Sequence, residues 1–397
     1  MNPQRTFIVD GADCFSYADL LEYANNTGSA QRVIVGENPR RFFADFVLAL
    51  ANNVDVVLPD AANATDFPQV SVPVAKARFE SVDELANAVR NSRSQIGIFT
   101  SGTTGRPRKV SHTAESLSRS ARVSDEHSDD VWGFAYHPSH IAGLQVFFQA
   151  FFNGNEIVNL FGKQKREVLG LVAREKISHI SATPTFYRLL LPEPNRYESV
   201  RRLTLGGEKS AGELLEKLGA VFPNAKVNNI YAATEFGTLL VSDGEYFSLP
   251  QAAAGLVRID SGVLCVHKSL LGGGEIPVDG QWYRTRDVVE FAPDGRHFRF
   301  VARQSDFVNV GGYKVNPSRV ENVLRGFGGV LDAHVYGRKN SVLGNILCAD
   351  LKTENGAESD IAEMRKFLSK SLEQYEIPRR INFVSELEST RTGKMKR

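Results

Sequence analysis

Short apolar runs alternate with segments of helix-like spacing from the start of the chain to about Gly244. The predicted strands cover residues 33–35, 54–58, 96–100, 131–136, 179–182, 203–205 and 227–231, and several of them are bounded by Gly, Pro or Asn. Residues 41–51 and 210–221, which lie between them, have the spacing of helices. Such alternation is typical of βαβ units around a mostly parallel sheet. We therefore predict an α/β fold with a large N-terminal body.

The pattern changes near Gly255, where strand-like runs separated by glycine-rich turns continue to Val310. No segment in this stretch is long enough to predict a helix. We expect a small antiparallel sheet or barrel, and we assign a β-barrel-like subdomain to about residues 250–303.

A third pattern follows and predicts a compact α+β unit. Asn316-Pro317 supplies a helix N-cap and a first-turn proline, and residues 346–351 form a strand candidate. Apolar positions in residues 359–375 keep a 3.6-residue period, which predicts an amphipathic helix. The predicted domains are therefore 1–303 and 304–397.

The composition favours small-molecule chemistry. The chain has 397 residues, with 47 basic and 46 acidic side chains and a net charge of +1. Nucleic acids and anionic membranes select for a basic excess, so we expect neither as a partner. The three cysteines form no CxxC pair, and no signal peptide or membrane span is evident. These features predict a cytoplasmic protein.

The strongest local signal is a loop rich in Ser, Thr and Gly at residues 100–109, directly after a predicted strand. Its glycines allow a tight turn whose N–H groups can approach an anion, and its hydroxyls add further donors. Arg108 and Lys109 can neutralise charge on a departing phosphate. Because Gly102 and Gly105 are only three positions apart, the loop does not have Walker spacing. We predict a phosphate-binding loop.

The loop resembles the signature of the adenylate-forming superfamily, which includes acyl-CoA synthetases, peptide-synthetase adenylation domains and beetle luciferases. Further segments resemble family signatures in the expected order: residues 15–20, 140–144, 183–185, 205–208, 231–235, 283–287, 303–306, 311–315 and 392–397. This collinearity implies an ATP- and acid-binding body followed by a small mobile C-terminal lid.

The resemblance implies roles for the nucleotide-binding residues. Tyr231 would stack on adenine, and Asp287 would accept hydrogen bonds from the ribose hydroxyls with Arg303 nearby. The other nucleotide-site candidates are Thr100, Ser101, Gly102, Thr103, Thr104, Gly105, Arg108, Gly207, Glu208 and Ala232.

The resemblance also implies the catalytic residues. Thr234 would bond the α-phosphate, and Glu235 would hold Mg²⁺, a cation that prefers carboxylate oxygen. Lys394 would bridge the substrate carboxylate and the α-phosphate, which lowers the repulsion between two anions. No protein nucleophile is required, since positioning and charge stabilisation suffice.

The expected acid and acceptor pocket is loosely constrained and favours a moderate apolar or aromatic acid. Its candidate residues are His140, Gln145, Ala182, Gly206, Ala233, Gly311 and Gly312. Two interpretations of His140 stay open: it gates the acceptor tunnel, or it is a packed, hydrogen-bonded histidine.

Five single positions, together with the lead-in to the terminal motif at residues 387–390, depart from the family pattern. Arg108 replaces the usual Lys of the loop, and Ala232 replaces the Gly of the YGxTE motif. Arg286 replaces the Gly before Asp287, so the sequence leaves open whether the backbone at this position keeps the geometry of the family. The hinge position is Ser305, and Asn309 replaces a lysine often used in the second half-reaction.

The resemblance implies that ATP activates a carboxylic acid to an acyl-AMP with release of pyrophosphate. The lid would then rotate about Ser305 and expose the intermediate to a thiol. CoA is the first choice of acceptor. The phosphopantetheine of an acyl carrier protein acting in trans and an amine are alternatives. A non-catalytic nucleotide-binding homologue is the alternative of another class.

Overall fold

The computed structural model describes residues 1–36, 38–59, 67–74, 78–100, 108–208, 212–340, 344–353 and 360–387. The chain divides into two compact units. The first unit comprises Met1–Leu256 with Val266–Tyr283, and the second comprises Val257–Cys265 with Arg284–Arg397. The domain boundary between residues 303 and 304 stays a prediction.

The first unit contains thirteen strands and eight α-helices among the described residues. The strands are β1 (Thr6–Asp10), β2 (Asp13–Ser16), β3 (Ser29–Gln31), β4 (Val56–Leu58), β5 (Ser71–Pro73), β6 (Ile96–Thr100), β7 (Arg108–His112), β8 (Val131–Phe134), β9 (Glu156–Asn159), β10 (His179–Ala182), β11 (Arg202–Gly206), β12 (Lys226–Ala233) and β13 (Gly237–Ser242). The helices are α1 (Tyr17–Asn26), α2 (Pro39–Ala51), α3 (Val82–Arg90), α4 (Ala114–Ser118), α5 (Ile141–Phe152), α6 (Lys165–Arg174), α7 (Pro184–Leu189) and α8 (Gly212–Val221).

The main sheet has eight strands in the order β13-β12-β11-β10-β8-β9-β1-β2. Its six central strands run parallel, and only the two edge strands are antiparallel to their neighbours. This confirms the predicted α/β class. Because the strands are parallel, β8, β10, β11 and β12 all end at one edge, where open α/β sheets bind ligands.

A second sheet of the first unit has the order β4-β6-β7. Strands β4 and β6 are parallel, and β7 returns antiparallel to β6 from Arg108 opposite Thr100. The two ends of the predicted phosphate loop are therefore neighbours in this sheet.

Helix α5 is buried along almost its whole length, in a core rich in phenylalanine. The rings of Phe43 and Phe147 stack with centroids 4.4 Å apart, and Phe147 also stacks on Phe151 at 5.2 Å. Aromatic pairs of this kind stabilise a core beyond the area that they bury. The packing fixes the N-terminal end of α5, where His140 is the N-cap residue.

The second unit is built mainly from strands. They are β14 (Val257–Asp260), β15 (Val263–His267), β16 (Trp282–Phe291), β17 (Phe298–Arg303), β18 (Val308–Val310), β19 (Tyr313–Val315), β20 (Val330–Asn340), β21 (Gly344–Thr353) and β22 (Arg380–Val384). The division between the units passes through β15 and β16. Strands β14 to β17 form one sheet in sequence order, and β20 to β22 form another. The predicted small sheet before Val310 is thereby confirmed.

Two helices complete the second unit, α9 (Pro317–Arg325) and α10 (Ile361–Leu368). Asn316 caps α9 as predicted, since its side chain accepts a hydrogen bond from the Ser318 N–H and Pro317 opens the helix. Buried Val320 and Leu324 of α9 pack with Met364 of α10 in the core of this unit.

Two predicted elements differ from the structure. Residues 33–35 form no strand, and only Val33 makes a bridge, to Val57. The preceding Arg32 N–H turns instead to Val70 O, so the chain crosses between two sheets at this point. The predicted helix at 359–375 ends at Leu368, where Ser369 caps it and the chain turns. Its predicted first residue, Ser359, lies outside the described residues. Within the described ranges, no helix has the length and apolar character needed to cross a membrane.

Candidate active site

The Thr234-Glu235 turn lies at the carboxyl end of β12, beside the hairpin that leads into β13. Tyr231 and Ala232 are half-buried in β12, and the β12–β13 register shifts between them. The Tyr283 hydroxyl donates a hydrogen bond of 3.3 Å to Glu235 Oε1. A carboxylate is thus held at the edge where the parallel strands end.

His112 closes β7 and contacts this turn, and it is not among the residues predicted from the sequence. Its Nε2 lies 2.7 Å from the Thr234 carbonyl oxygen, and Nε2 is the donor because a carbonyl only accepts. Burial lowers the pKa of His112, and Arg119 acts in the same direction. The sequence feature that could have indicated His112 is its place as a polar residue shortly after the phosphate loop.

Part of the predicted phosphate loop is described. The Thr100 backbone pairs with Arg108, whose side chain is exposed, and the Lys109 side chain lies across Gly97. The remaining loop candidates, and the predicted catalytic lysine, lie outside the described residues: Ser101, Gly102, Thr103, Thr104, Gly105 and Lys394.

The predicted adenine-side residues follow β11. Gly207 has φ +82°, a conformation that favours glycine. Both the N–H and the hydroxyl of Thr185 donate to Glu208 Oε2, at 3.1 and 2.6 Å. The other oxygen, Oε1, is buried and accepts no hydrogen bond from the described residues. Buried carboxylate oxygens are normally bonded, so this atom can accept a bond from a ligand donor.

The predicted pocket residues of the first unit gather near the same edge. Ala182 and Gly206 are the last residues of β10 and β11, and both are buried. Ala233 ends β12 opposite Gly237, and Gln145 of α5 accepts a hydrogen bond of 3.1 Å from the Thr238 hydroxyl.

His140 is partly buried and makes no side-chain cap bond at the start of α5. Its ring lies 5.3 Å from that of His137, which is buried. His137 is also not among the residues predicted from the sequence. The feature that could have indicated it is the presence of a second imidazole three residues before His140.

The second unit places Asp287 opposite Arg303 on antiparallel β16 and β17. Arg303 Nε lies 3.6 Å from Asp287 Oδ1, and the Asp287 N–H donates to the Thr285 hydroxyl. Arg286 adopts φ +67°, so the backbone takes the left-handed form at a position where the family pattern has glycine.

The remaining predicted residues also belong to the second unit. Ser305 is exposed just after β17, and its hydroxyl donates to Asp306 Oδ1 at 3.1 Å. Gly311 and Gly312 form the turn between β18 and β19, with φ of +58° and +92°. The Gly312 N–H donates to Asn309 Oδ1, so Asn309 supports this turn.

Glu235 has the chemistry expected for Mg²⁺. This ion commonly binds through one or two carboxylates together with substrate phosphates, and one half-buried carboxylate in the turn that His112 of β7 contacts fits that arrangement. In the ranges that the structure describes, no three His, Cys, Asp or Glu side chains group as ligands of an all-protein metal site.

Comparison with protein families gives two matches. A model described as AMP-binding enzyme matches residues 48–257, and one described as AMP-binding enzyme C-terminal domain matches residues 319–394.

Among individual proteins, a 2-succinylbenzoate–CoA ligase of Staphylococcus aureus is 25% identical over 377 residues, covering 88% of this chain and 73% of the relative. The o-succinylbenzoate CoA synthetase of Bacillus subtilis, solved with its acyl-adenylate intermediate, is similar with a TM-score of 0.70. It is 18% identical, with 100% and 95% of the two chains covered. ATP-bound MatB of Rhodopseudomonas palustris gives a TM-score of 0.74 at 19% identity, covering 99% and 94%.

Proposed function

Because the chain belongs to the AMP-binding enzyme family, we propose that it activates a carboxylic acid with ATP and transfers the acyl group to CoA. In the first step the acid carboxylate attacks the α-phosphorus of ATP, which forms acyl-AMP and releases pyrophosphate. In the second step the CoA thiol attacks the acyl carbon, and AMP leaves. The observation that carries the proposal is the Thr234-Glu235 turn, held beside the strand that leaves the phosphate loop.

In the first step, the residues of the first unit bind different parts of ATP. Thr234 bonds the α-phosphate, and Tyr231 stacks on adenine. The loop of residues 100–108 would bind the β- and γ-phosphates through N–H groups, hydroxyls and the Arg108 guanidinium. Glu208 Oε1, buried without a protein donor among the described residues, accepts from the nucleotide.

Glu235 would hold Mg²⁺, which neutralises phosphate charge when it is bound. The Tyr283 hydroxyl orients the carboxylate by bonding one of its oxygens. Asp287 binds the ribose hydroxyls, and Arg303 orients that carboxylate by pairing with it.

The acid that we propose is a moderate aryl or apolar acid. Relatives that are 25% identical are named for 2-succinylbenzoate, which makes this aryl acid the first to test. Gln145, Ala182, Gly206 and Ala233 line its site in this proposal, because they lie at the edge where the parallel strands end.

The second step depends on the C-terminal part of the chain. In the proposal, Lys394 bridges the acid carboxylate and the α-phosphate during the first step. The lid then turns about Ser305, and the Gly311-Gly312 turn contacts the acceptor. A carrier protein acting in trans, the absence of a nucleic-acid partner and a cytoplasmic location also stay predictions.

Acid-dependent exchange of labelled pyrophosphate into ATP tests the first step across a panel of aryl, fatty and amino acids. We expect exchange with at least one aryl acid, and none with any acid would favour the non-catalytic nucleotide-binding alternative. CoA, a phosphopantetheinyl carrier protein and simple amines are then added separately to the active acid. A thioester with CoA is the expected product, whereas product only with a carrier or an amine would overturn the acceptor assignment.

A further inference from the structure

Three consecutive backbone carbonyls of the turn that carries Glu235 accept hydrogen bonds from three separate places in the first unit. Thr234 O accepts from His112 Nε2 at 2.7 Å, and Glu235 O accepts from the Gly272 N–H at 2.8 Å. Phe236 O accepts from Arg119 Nη2 at 2.7 Å. We call these three contacts the carbonyl clamp.

Two of the three donors come from the segment that directly follows the phosphate loop. His112 is the last residue of β7, and Arg119 is the C-cap of the short helix α4 that comes next. Thr113 and Ser116 form a capping box at the start of this helix, which fixes the distance between the two donors.

The third donor is tied to the same strand. Ser111 and Gly273 exchange two backbone hydrogen bonds of 2.7 Å each, so the glycine segment Gly272–Gly274 extends the sheet beside β7. A Cβ atom at Gly272 would lie 2.8 Å from Ser111 O and 2.8 Å from His112 Cε1. Glycine is therefore needed for this close approach.

His112 has the properties of a fixed support. Its residue is 4% exposed, and its Nδ1 lies 3.3 Å from the Ser116 hydroxyl while Nε2 is committed to Thr234. A buried imidazole with a partner at each nitrogen is held in one orientation.

We propose that His112 and Arg119 are positioning residues that hold the Thr234-Glu235 turn in register with β7, the strand that follows the phosphate loop. The inference rests on the proposed function, because it assigns the clamp to the placement of the metal carboxylate relative to the ATP phosphates. Both residues act through backbone carbonyls and touch neither substrate. Supporting contacts of this kind typically change metal affinity or activity about 10- to 100-fold when they are lost.

The test compares His112→Met, which removes the donor at similar volume, with His112→Gln, whose amide N–H can reach the same carbonyl. Equilibrium titration of ATP measures nucleotide binding at low and high Mg²⁺, and pyrophosphate exchange measures the kinetic constants. We expect His112→Met to weaken Mg²⁺-dependent ATP binding about 10-fold and to lower kcat/KM for ATP. The acid KM should change less than about 3-fold, and His112→Gln should recover most of the loss.

Arg119 provides a second test that does not disturb the core, because its side chain is exposed. Arg119→Met should give a smaller loss in the same direction, and Arg119→Lys should restore it by again offering a donor. His297→Met, an exposed histidine of the second unit, is the control for the substitution itself.

If His112→Met and Arg119→Met bind Mg·ATP like the active wild-type protein, the clamp has no positioning role. Equal losses in His112→Met and His112→Gln would also overturn the proposal, because the donor would then be irrelevant. A wild-type protein inactive toward every acid would instead refute the proposed function, and ATP titration would still decide the clamp.

Discussion

Asp287 and Arg303 face each other across strands β16 and β17, with Arg303 Nε 3.6 Å from Asp287 Oδ1. Asp287 is half-buried, whereas Arg303 is exposed, so the carboxylate is the more constrained partner. An exposed ion pair contributes little to stability. We therefore expect this pair to add little to the stability of the sheet.

Replacing Asp287 by Ala should raise the KM for ATP about 10- to 100-fold, because an acceptor for the ribose hydroxyls is lost. Steady-state kinetics with saturating acid measures the KM for ATP. Glu290→Ala is a matched control, since Glu290 pairs with Arg299 at 3.0 Å across the same two strands. Equal KM values for wild type and Asp287→Ala would exclude a nucleotide role for this carboxylate.

Arg286→Gly should stabilise the protein by about 0.5–1 kcal/mol. The left-handed conformation at φ +67° costs a non-glycine residue about 1–2 kcal/mol, which exceeds the extra chain entropy of glycine, about 0.4–1 kcal/mol. Urea unfolding at constant pH measures the change. Arg284→Gly, two residues earlier on the same strand, should destabilise instead. A lower urea midpoint for Arg286→Gly would show that the arginine side chain stabilises the turn by more than the strain costs.

Apolar periodicity predicted those parts of the fold that depend on local sequence. Strands β6 and β10 begin and end where the pattern placed them, and Asn316-Pro317 marked the start of α9. The apolar run at residues 33–35 was wrong as a strand because the neighbouring hydrogen bonds go to two different sheets. Local pattern does not encode which distant strand offers a partner.

The same distinction applies to the site. Motif order placed Thr234, Glu235 and Tyr231 in sequence, but the residues that hold them come from distant parts of the chain. His112 is 122 positions from Thr234, and Tyr283 is 48 positions from Glu235. Such pairs follow from the fold of the whole unit. Tyr283 opens the motif at residues 283–287, and His112 follows the phosphate loop, but neither pattern indicates the distant partner that the residue contacts.

Gln145→Leu should change which acid the protein prefers. The substitution removes the acceptor of the Thr238 hydroxyl bond and adds apolar surface at the predicted acid site. We expect the KM of a polar acid to rise about 10-fold while the KM of ATP stays within about 2-fold. Steady-state kinetics with two acids of similar size and different polarity measures the change in acid preference.

Thr238→Val is the matched variant, because it removes the same hydrogen bond without altering the Gln145 side chain. A smaller shift in the same direction is expected. Unchanged acid preference in Gln145→Leu would place this residue outside the acid site.

Gly272→Ala should both destabilise the first unit and raise the KM for ATP about 10-fold or more. The new Cβ would lie 2.8 Å from Ser111 O, so the glycine segment must move away from β7 and loosen its bond to Glu235 O. Gly273→Ala is the control, since its Cβ would meet nothing closer than 3.7 Å. Near-normal kinetics for Gly272→Ala, with an unchanged unfolding midpoint, would contradict the close approach.

His179 should make the stability of the first unit depend on pH. It lies in a buried cluster with Asp130, where Asp130 Oδ2 is 3.5 Å from His179 Nε2 and 3.0 Å from His127 Nδ1. Burial lowers the pKa of His179 from its ordinary value of 6.5 to about 4; the Asp130 carboxylate opposes this, and Arg201 and Arg202 add to it.

Because the folded-state pKa is depressed, the unfolded chain binds a proton near pH 6.5 while the folded protein does not. Above pH 6.5 the ring is neutral in both states, so it does not lower the free energy of unfolding. As pH falls from about 6.5 toward 4, the free energy of unfolding decreases. Urea midpoints measured across this range should fall less steeply in His179→Gln than in the wild type. His297→Gln, which alters an exposed histidine of the second unit, should keep the wild-type decline. An equally steep decline in His179→Gln would assign the acid sensitivity to the carboxylates instead.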